Sequence, residues 1–279
     1  MDRAELKELL LKHAANEIKL SHFKPEAHLE LRAGRIGGRP AVPEGFKWPY
    51  YTTDDGERLP LSFLAQIDLG EASKLDGEGV LPKSGLLSFF YELQTMTWGF
   101  LPEDRGSARV YWFPEGTALV PAEFPEELDD SLILPERETA LCRKLCPPPF
   151  EYLDRAGFDP DDYFKCMAEL GYDVDEEMNS TKLLGYPDII QDDMRMECEM
   201  TARGISCGNP ADIADFSEDE LREIAERAGD WRLLFQMGSA EYDDFELMFG
   251  DLGSIYFWIR SDDLEARRFE NAWLVLQCG

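Results

Sequence analysis

Two stretches of this chain carry the same order of apolar runs and turn signals about 170 residues apart. In the first, Leu64-Ala65-Gln66-Ile67 is followed by Gly85-Leu86-Leu87-Ser88-Phe89-Phe90-Tyr91 and then by Ala108-Arg109-Val110-Tyr111-Trp112-Phe113. In the second, Leu234-Phe235-Gln236-Met237 is followed by Gly253-Ser254-Ile255-Tyr256-Phe257-Trp258-Ile259 and then by Ala272-Trp273-Leu274-Val275-Leu276-Gln277. The Gln-to-Gly spacing is 19 residues in one copy and 17 in the other, and the Gly-to-Ala spacing is 23 against 19. Each copy predicts three strands with similar loops. Unbroken apolar runs such as 86–91 belong to strands buried on both faces, and their aromatic content favours strand over buried helix.

Helical spacing appears elsewhere. Over residues 2–20, Leu6, Leu9, Leu10, His13 and then Glu17 or Ile18 fall on one face, which predicts an amphipathic helix laid against the body. A short helix is expected from about 136 to the stop at Pro147-Pro148-Pro149. Asp159 caps a helix opening with Pro160 and closing at Gly171; Ser217 and Glu220 form the capping box of another that runs to Ala228, with Phe216 and Leu221 at the staple positions. Residues 114–135 read as an irregular acidic connector, and the glycines and prolines of 34–49 as a folded-over loop without regular structure. The order of elements is a strand set (about 61–113), a helical acidic insert (about 136–228) and a second strand set (about 231–279). That predicts an α+β fold over 1–279 as a single domain, an internal duplication of mainly antiparallel strand sets with helices between them and at the N-terminus. A near-repeat at fixed offset further suggests pseudo-twofold packing.

Charge narrows the partners. The formal net charge is −29, divided as +2 over 1–50, −10 over 51–150, −16 over 151–230 and −5 over 231–279. Such a field repels nucleic acid and anionic lipid and attracts basic partners. No apolar run is long enough for a signal peptide or membrane span, so a cytoplasmic location is expected. Six cysteines (142, 146, 166, 198, 207 and 278) include no C-x-x-C pair, and no histidine follows His28, so the expectation is free thiols, no metal and no cofactor.

Candidate chemistry is sparse. The loop at 34–40 is locally basic, with Arg32, Arg35 and Arg39 beside Gly37 and Gly38, a combination that suits a carboxylate or phosphate; the favoured reading is that its arginines pair with the chain's own carboxylates. Trp48 supplies an aromatic wall next to it, and Trp48 and Trp98 are the two tryptophans expected to be exposed. Gln66 and Gln236 occupy matching places in the two copies; amides in apolar strands need partners, either backbone groups or a pair of symmetry-related ligand contacts. The acidic run Asp173-Val174-Asp175-Glu176-Glu177-Met178-Asn179 fails as a calcium loop, with Met178 where the turn needs Gly and Leu184 where the closing Glu belongs. Cys142 and Cys146, one turn apart on the expected helix, lack a basic partner nearby, so no catalytic residue is assigned.

Four segments resemble the YwqG-like family of bacterial proteins, a domain of unknown function. They are Arg35-Ile36-Gly37-Gly38-Arg39-Pro40 with Pro43 and Trp48-Pro49; Leu61-Ser62-Phe63-Leu64-Ala65-Gln66-Ile67-Asp68; Leu183-Leu184-Gly185-Tyr186-Pro187-Asp188-Ile189-Ile190-Gln191; and Gly250-Asp251-Leu252-Gly253-Ser254-Ile255-Tyr256-Phe257-Trp258-Ile259. The resemblance implies a duplicated α+β fold and no established activity. It also suggests an immunity or protein-interaction role against a basic, toxin-like protein. The function expected is therefore a cytosolic protein-binding module, not an enzyme, that uses dispersed carboxylates between about 122 and 220. The alternative is a small-anion binder or enzyme at 34–49, with Arg35, Gly37, Gly38, Arg39, Trp48, Gln66 and Gln236 as ligand contacts.

Overall fold

The computed structural model describes residues 1–153, 157–172, 180–209, 212, 214, 216–242 and 245–279. In chain order its strands are β1 (Ala15–Phe23), β2 (Arg35–Ile36), β3 (Ala41–Pro43), β4 (Tyr50–Thr52), β5 (Arg58–Pro60), β6 (Ser62–Asp68), β7 (Leu86–Tyr91), β8 (Ala108–Phe113), β9 (Leu119–Pro121), β10 (Arg137–Cys146), β11 (Lys182–Leu184), β12 (Trp231–Gly238), β13 (Ala240–Glu241), β14 (Glu246–Leu247), β15 (Ser254–Arg260) and β16 (Trp273–Gln277). Helices cover Arg3–Lys12, Leu69–Leu75, Pro160–Glu169, Arg195–Ala202, Glu218–Ala228 and Ser261–Glu265. The α+β class holds. None of these helices is long and apolar enough to cross a membrane.

Ten strands form one sheet in the order β16-β15-β12-β11-β1-β10-β2-β6-β7-β8, with every neighbouring pair antiparallel. The order is symmetric about the β1–β10 pair: β6, β7 and β8 on one side answer β12, β15 and β16 on the other. The match extends to irregularities. Pairing of β6 with β7 slips between Phe63 and Ala65, and pairing of β12 with β15 slips between Leu233 and Phe235, so Leu64 and Leu234 are equivalent bulged residues. Bulges sharpen strand twist, and here they sit in both wings of a sheet that coils until it nearly closes. Phe89 of one copy stacks on Phe235 of the other at 4.3 Å between centroids, inside a core that draws Ile67, Leu87, Ile255 and Leu276 from both. Each edge strand is covered by the opposite copy: Leu276 N donates to Trp98 O at 3.0 Å along β16, and Phe269 packs near Trp112 of β8.

Three expectations need correction. The N-terminal helix stops at Lys12, and residues 15–23 are a strand in which Ile18 and Leu20 alternate inward. Residues 137–146 are not helical; β10 pairs with β1 over nine consecutive positions, from Ala15 with Cys146 to Phe23 with Glu138. The insert at 136–228 is thus not wholly helical, because β10 and β11 come from it and join β1 in the middle of the sheet. The 34–49 loop contains β2 and β3, so it is not without regular structure. The capped helices form as expected: Asp159 accepts from Asp161 N, and Ser217 with Glu220 closes a reciprocal box. The acidic run 173–179 lies outside the described residues.

Candidate functional site

The duplication places a polar centre in each wing of the sheet. Arg35 on β2 stands opposite Gln66 on β6, and Lys182 on β11 stands opposite Gln236 on β12. The two glutamines are fully buried and do the same work. Gln66 Oε1 accepts from Ala41 N at 3.0 Å while its Nε2 donates to the carbonyls of Ala33 (2.8 Å) and Leu31 (2.9 Å). Gln236 Oε1 accepts from Asp188 N at 2.9 Å while its Nε2 donates to Ser180 O (3.1 Å) and Asp188 Oδ2 (2.7 Å). In both copies the accepted amide lies six residues after the cation, and a bonded carbonyl lies two before it. Each glutamine therefore fastens a crossing loop to the sheet, satisfying backbone groups that burial would otherwise leave unpaired.

The cations differ in chemistry. Arg35 forks to Glu136 Oε2 at 2.6 Å and to the Glu30 and Leu31 carbonyls. Lys182, wholly buried, reaches Asp188 Oδ1 at 2.5 Å and Glu17 Oε2 at 3.1 Å. Burial alone would lower the Lys182 ammonium, but the Asp188 and Glu17 carboxylates outweigh it and hold the group well above its ordinary value. Burial pushes the neighbouring Cys146 thiol upward, which leaves it a protonated, unreactive group.

The basic loop is engaged by the protein itself. Gly37 N donates to Leu64 O and Gly38 N to Leu134 O, both at 2.8 Å, so the amides that face an anion in glycine-rich cradles are used within the fold. Gly37 has φ +63°, and a Cβ there would collide with the Leu134 and Pro135 carbonyls. Arg39, exposed, pairs with Glu123 at 2.9 Å. Trp48 is only half-buried, yet its Nε1 donates to Leu61 O at 2.8 Å and its ring packs against Phe90 and Phe124. Of the seven candidate contacts, Arg35 and Gln66 meet in one centre, Gln236 lies in the other, Gly37 and Gly38 bond backbone carbonyls beside the first, and Arg39 and Trp48 are outside both. The second centre was legible in part: Lys182-Leu183-Leu184-Gly185-Tyr186-Pro187 echoes Arg35-Ile36-Gly37-Gly38-Arg39-Pro40, and Leu184 and Gly185 (φ +59° and +74°) reproduce the left-handed pair Gly37 and Gly38.

A surface site missed by the sequence reading lies where the β4–β5 hairpin, the 95–104 loop, Ser206, Gly208, Asn209 and Asp212 meet. This groove of about 790 Å³ is lined by Asp54, Asp55, Glu57, Asp104 and Asp212, together with Tyr51, Trp98, Phe100 and Leu101. Among the described residues no Lys, Arg or His lines it. Trp98 is 41% exposed, as its turn context predicts, and Leu101 is 38% exposed. Burial raises the Asp104 carboxyl and the nearby Asp54 charge adds to this, while amides of Leu101 and Gly99 pull it back down. The groove is assembled across the chain: Cys207 N donates to Phe100 O at 3.1 Å, docking the 203–209 loop on the 97–101 loop. A floor of aromatic rings with carboxylates around it suits a cationic side chain, through charge and through the ring face. Among the described residues no cluster of three or more His, Cys, Asp or Glu is placed to hold a metal ion, and the six cysteines are free thiols.

No curated protein matches the chain. Residues 34–278, which include Arg35, Gln66, Lys182, Gln236 and the groove, match a family described as Domain of unknown function (DUF1963), and the chain belongs to that family.

Proposed function

We propose that this chain is a cytoplasmic protein-interaction module that takes a basic segment of a partner into the groove between Asp54, Trp98, Asp104 and Asp212. The observation that carries the reading is the groove's lining: five carboxylates and exposed aromatic surface, with no cation among the described lining residues. The net charge of −29 supports it, since the whole surface steers a cationic partner toward contact. A lysine or arginine seated over Trp98 gains ring contact as well as charge, and Leu101 supplies apolar area beside it. An immunity-type role fits within this reading, with a basic toxin as the partner and the groove occluding one of its cationic loops.

The test uses intact protein and an arginine-rich peptide as probe, measured calorimetrically at low and moderate salt, beside a pull-down from host lysate. A salt-sensitive complex that Asp54→Asn/Asp104→Asn/Asp212→Asn weakens at least tenfold, and Trp98→Ala weakens further, supports the proposal. Equal binding by the triple variant, or none by the unaltered protein in either assay, overturns it.

A further inference from the structure

The counterpart of the basic loop in the second copy borders a different kind of cavity. Leu184-Gly185-Tyr186-Pro187 matches Gly37-Gly38-Arg39-Pro40, and Gly185, Tyr186 and Pro187 line a pocket of about 370 Å³ together with Arg195 and Arg232. A second pocket of about 530 Å³ adjoins it, sharing His13, Tyr152, Tyr186 and Arg195. The two differ in character. The first is lined by Arg195 and Arg232; the second is walled by Leu9, Pro148, Leu153 and Phe158.

The first pocket keeps unused donors. Asp193 engages Arg195 through Nε and Nη2, at 3.0 and 2.7 Å, and among the described residues Nη1 has no hydrogen bond, while the guanidinium lies 3.7 Å over the Tyr152 ring and is held in place by it. Arg232 meets Glu78 through Nη2 alone. Among the described residues Glu78 is the one carboxylate in the lining of either pocket, and Asp193, which pairs with Arg195, is outside it.

We infer that this paired cavity binds a small organic acid with an aromatic or branched apolar body, its carboxylate between Arg195 and Arg232 and its body among Leu9, Pro148, Leu153 and Phe158. Planar guanidinium groups suit a carboxylate, and the adjoining apolar walls select against bare inorganic anions. The site is separate from the acidic groove, so each proposal stands or falls without the other.

The experiment is isothermal titration of the intact protein with 3-phenylpropanoate, with 3-phenylpropanol as its uncharged twin and inorganic phosphate as a bare anion. The expected result is one-to-one binding of the carboxylate, at least tenfold weaker for the alcohol and for phosphate. Arg232→Gln, at a partly exposed position, should weaken it at least tenfold while leaving the thermal midpoint near that of the parent. Phe158→Ala should weaken the carboxylate and leave the response to phosphate unchanged. Absence of carboxylate binding, or binding that survives both Arg232→Gln and Phe158→Ala, overturns the inference.

Discussion

The two wings of the sheet use one design with different cations. In the first, Arg35 spreads its donors over a carboxylate and backbone carbonyls, and Glu136 keeps 29% of its side chain in solvent. In the second, Lys182 is a point charge between two carboxylates, and Glu17 is as buried as the lysine itself, with Oε1 unpaired. The difference teaches that the duplicated feature is the tie between sheet and crossing loop, made by Gln66 and Gln236, whereas the charge beneath each tie is free to diverge. A guanidinium spreads five donors over a planar fork that reaches well-separated carbonyls; an ammonium gathers three at one point, and in the second wing that point charge pairs with Asp188 from the crossing loop.

Removing the cations should expose this asymmetry most strongly. Lys182→Met leaves Glu17 and Asp188 without a counter-charge in the interior, and urea unfolding should show a loss of ~3–5 kcal/mol. Arg35→Met strands the half-solvated Glu136 and carbonyls that water can partly reach, so the loss should be smaller, roughly 2–3 kcal/mol. Equal losses would mean that the two centres are energetically alike despite their chemistry. Gln66→Leu and Gln236→Leu should instead match each other, at ~2 kcal/mol each, because each frees one loop amide and its bonded carbonyl in a buried place. A difference of more than about 1 kcal/mol between them would show that the ties are not equivalent.

The second wing also carries a strained acid on the helix Arg195–Ala202. Burial, with Asp192 and Asp193 nearby, pushes the Glu197 carboxyl up to about 7 from an ordinary 4.5, and its Oε2 has no partner. The folded chain then keeps a proton that the unfolded chain releases, so stability falls as pH rises from about 4.5 to about 7. Glu197→Gln should flatten that decline and be the more stable protein at pH 8 by ~2 kcal/mol, read from urea midpoints across pH. The smallest effect belongs to the surface: Arg39→Gln, which breaks an exposed pair with Glu123, should shift stability by less than ~1 kcal/mol.

Much of the architecture was legible because it was written twice. The strands at 62–68, 86–91, 108–113, 231–238, 254–260 and 273–277 announce themselves by apolar runs, and the capped helices at 160–169 and 218–228 by residues that satisfy their own ends. The middle of the sheet was not legible. Arg137–Cys146 has few deeply buried positions, and its strand state comes from nine pairings with a segment more than a hundred residues away. The same holds for Ala15–Phe23, whose apolar positions also fit a continued helix.

The sites divide in the same manner. Gln66 and Gln236 could be singled out because a polar residue recurring in apolar strands must find partners, but that those partners are loop backbone became visible only with the crossing segments in place. The acidic groove draws on three separated segments, and the Arg195–Arg232 pocket on at least four, none of which forms a motif. By itself the sequence determined the duplication, the α+β class, the capped helices and the sign of the surface field, since each depends on local pattern or simple composition. Only the tertiary structure decided that two copies share one coiled sheet, that Arg35 and Gly37 spend their donors inside the fold, and where cavities open, because those outcomes rest on contacts between residues far apart in the chain.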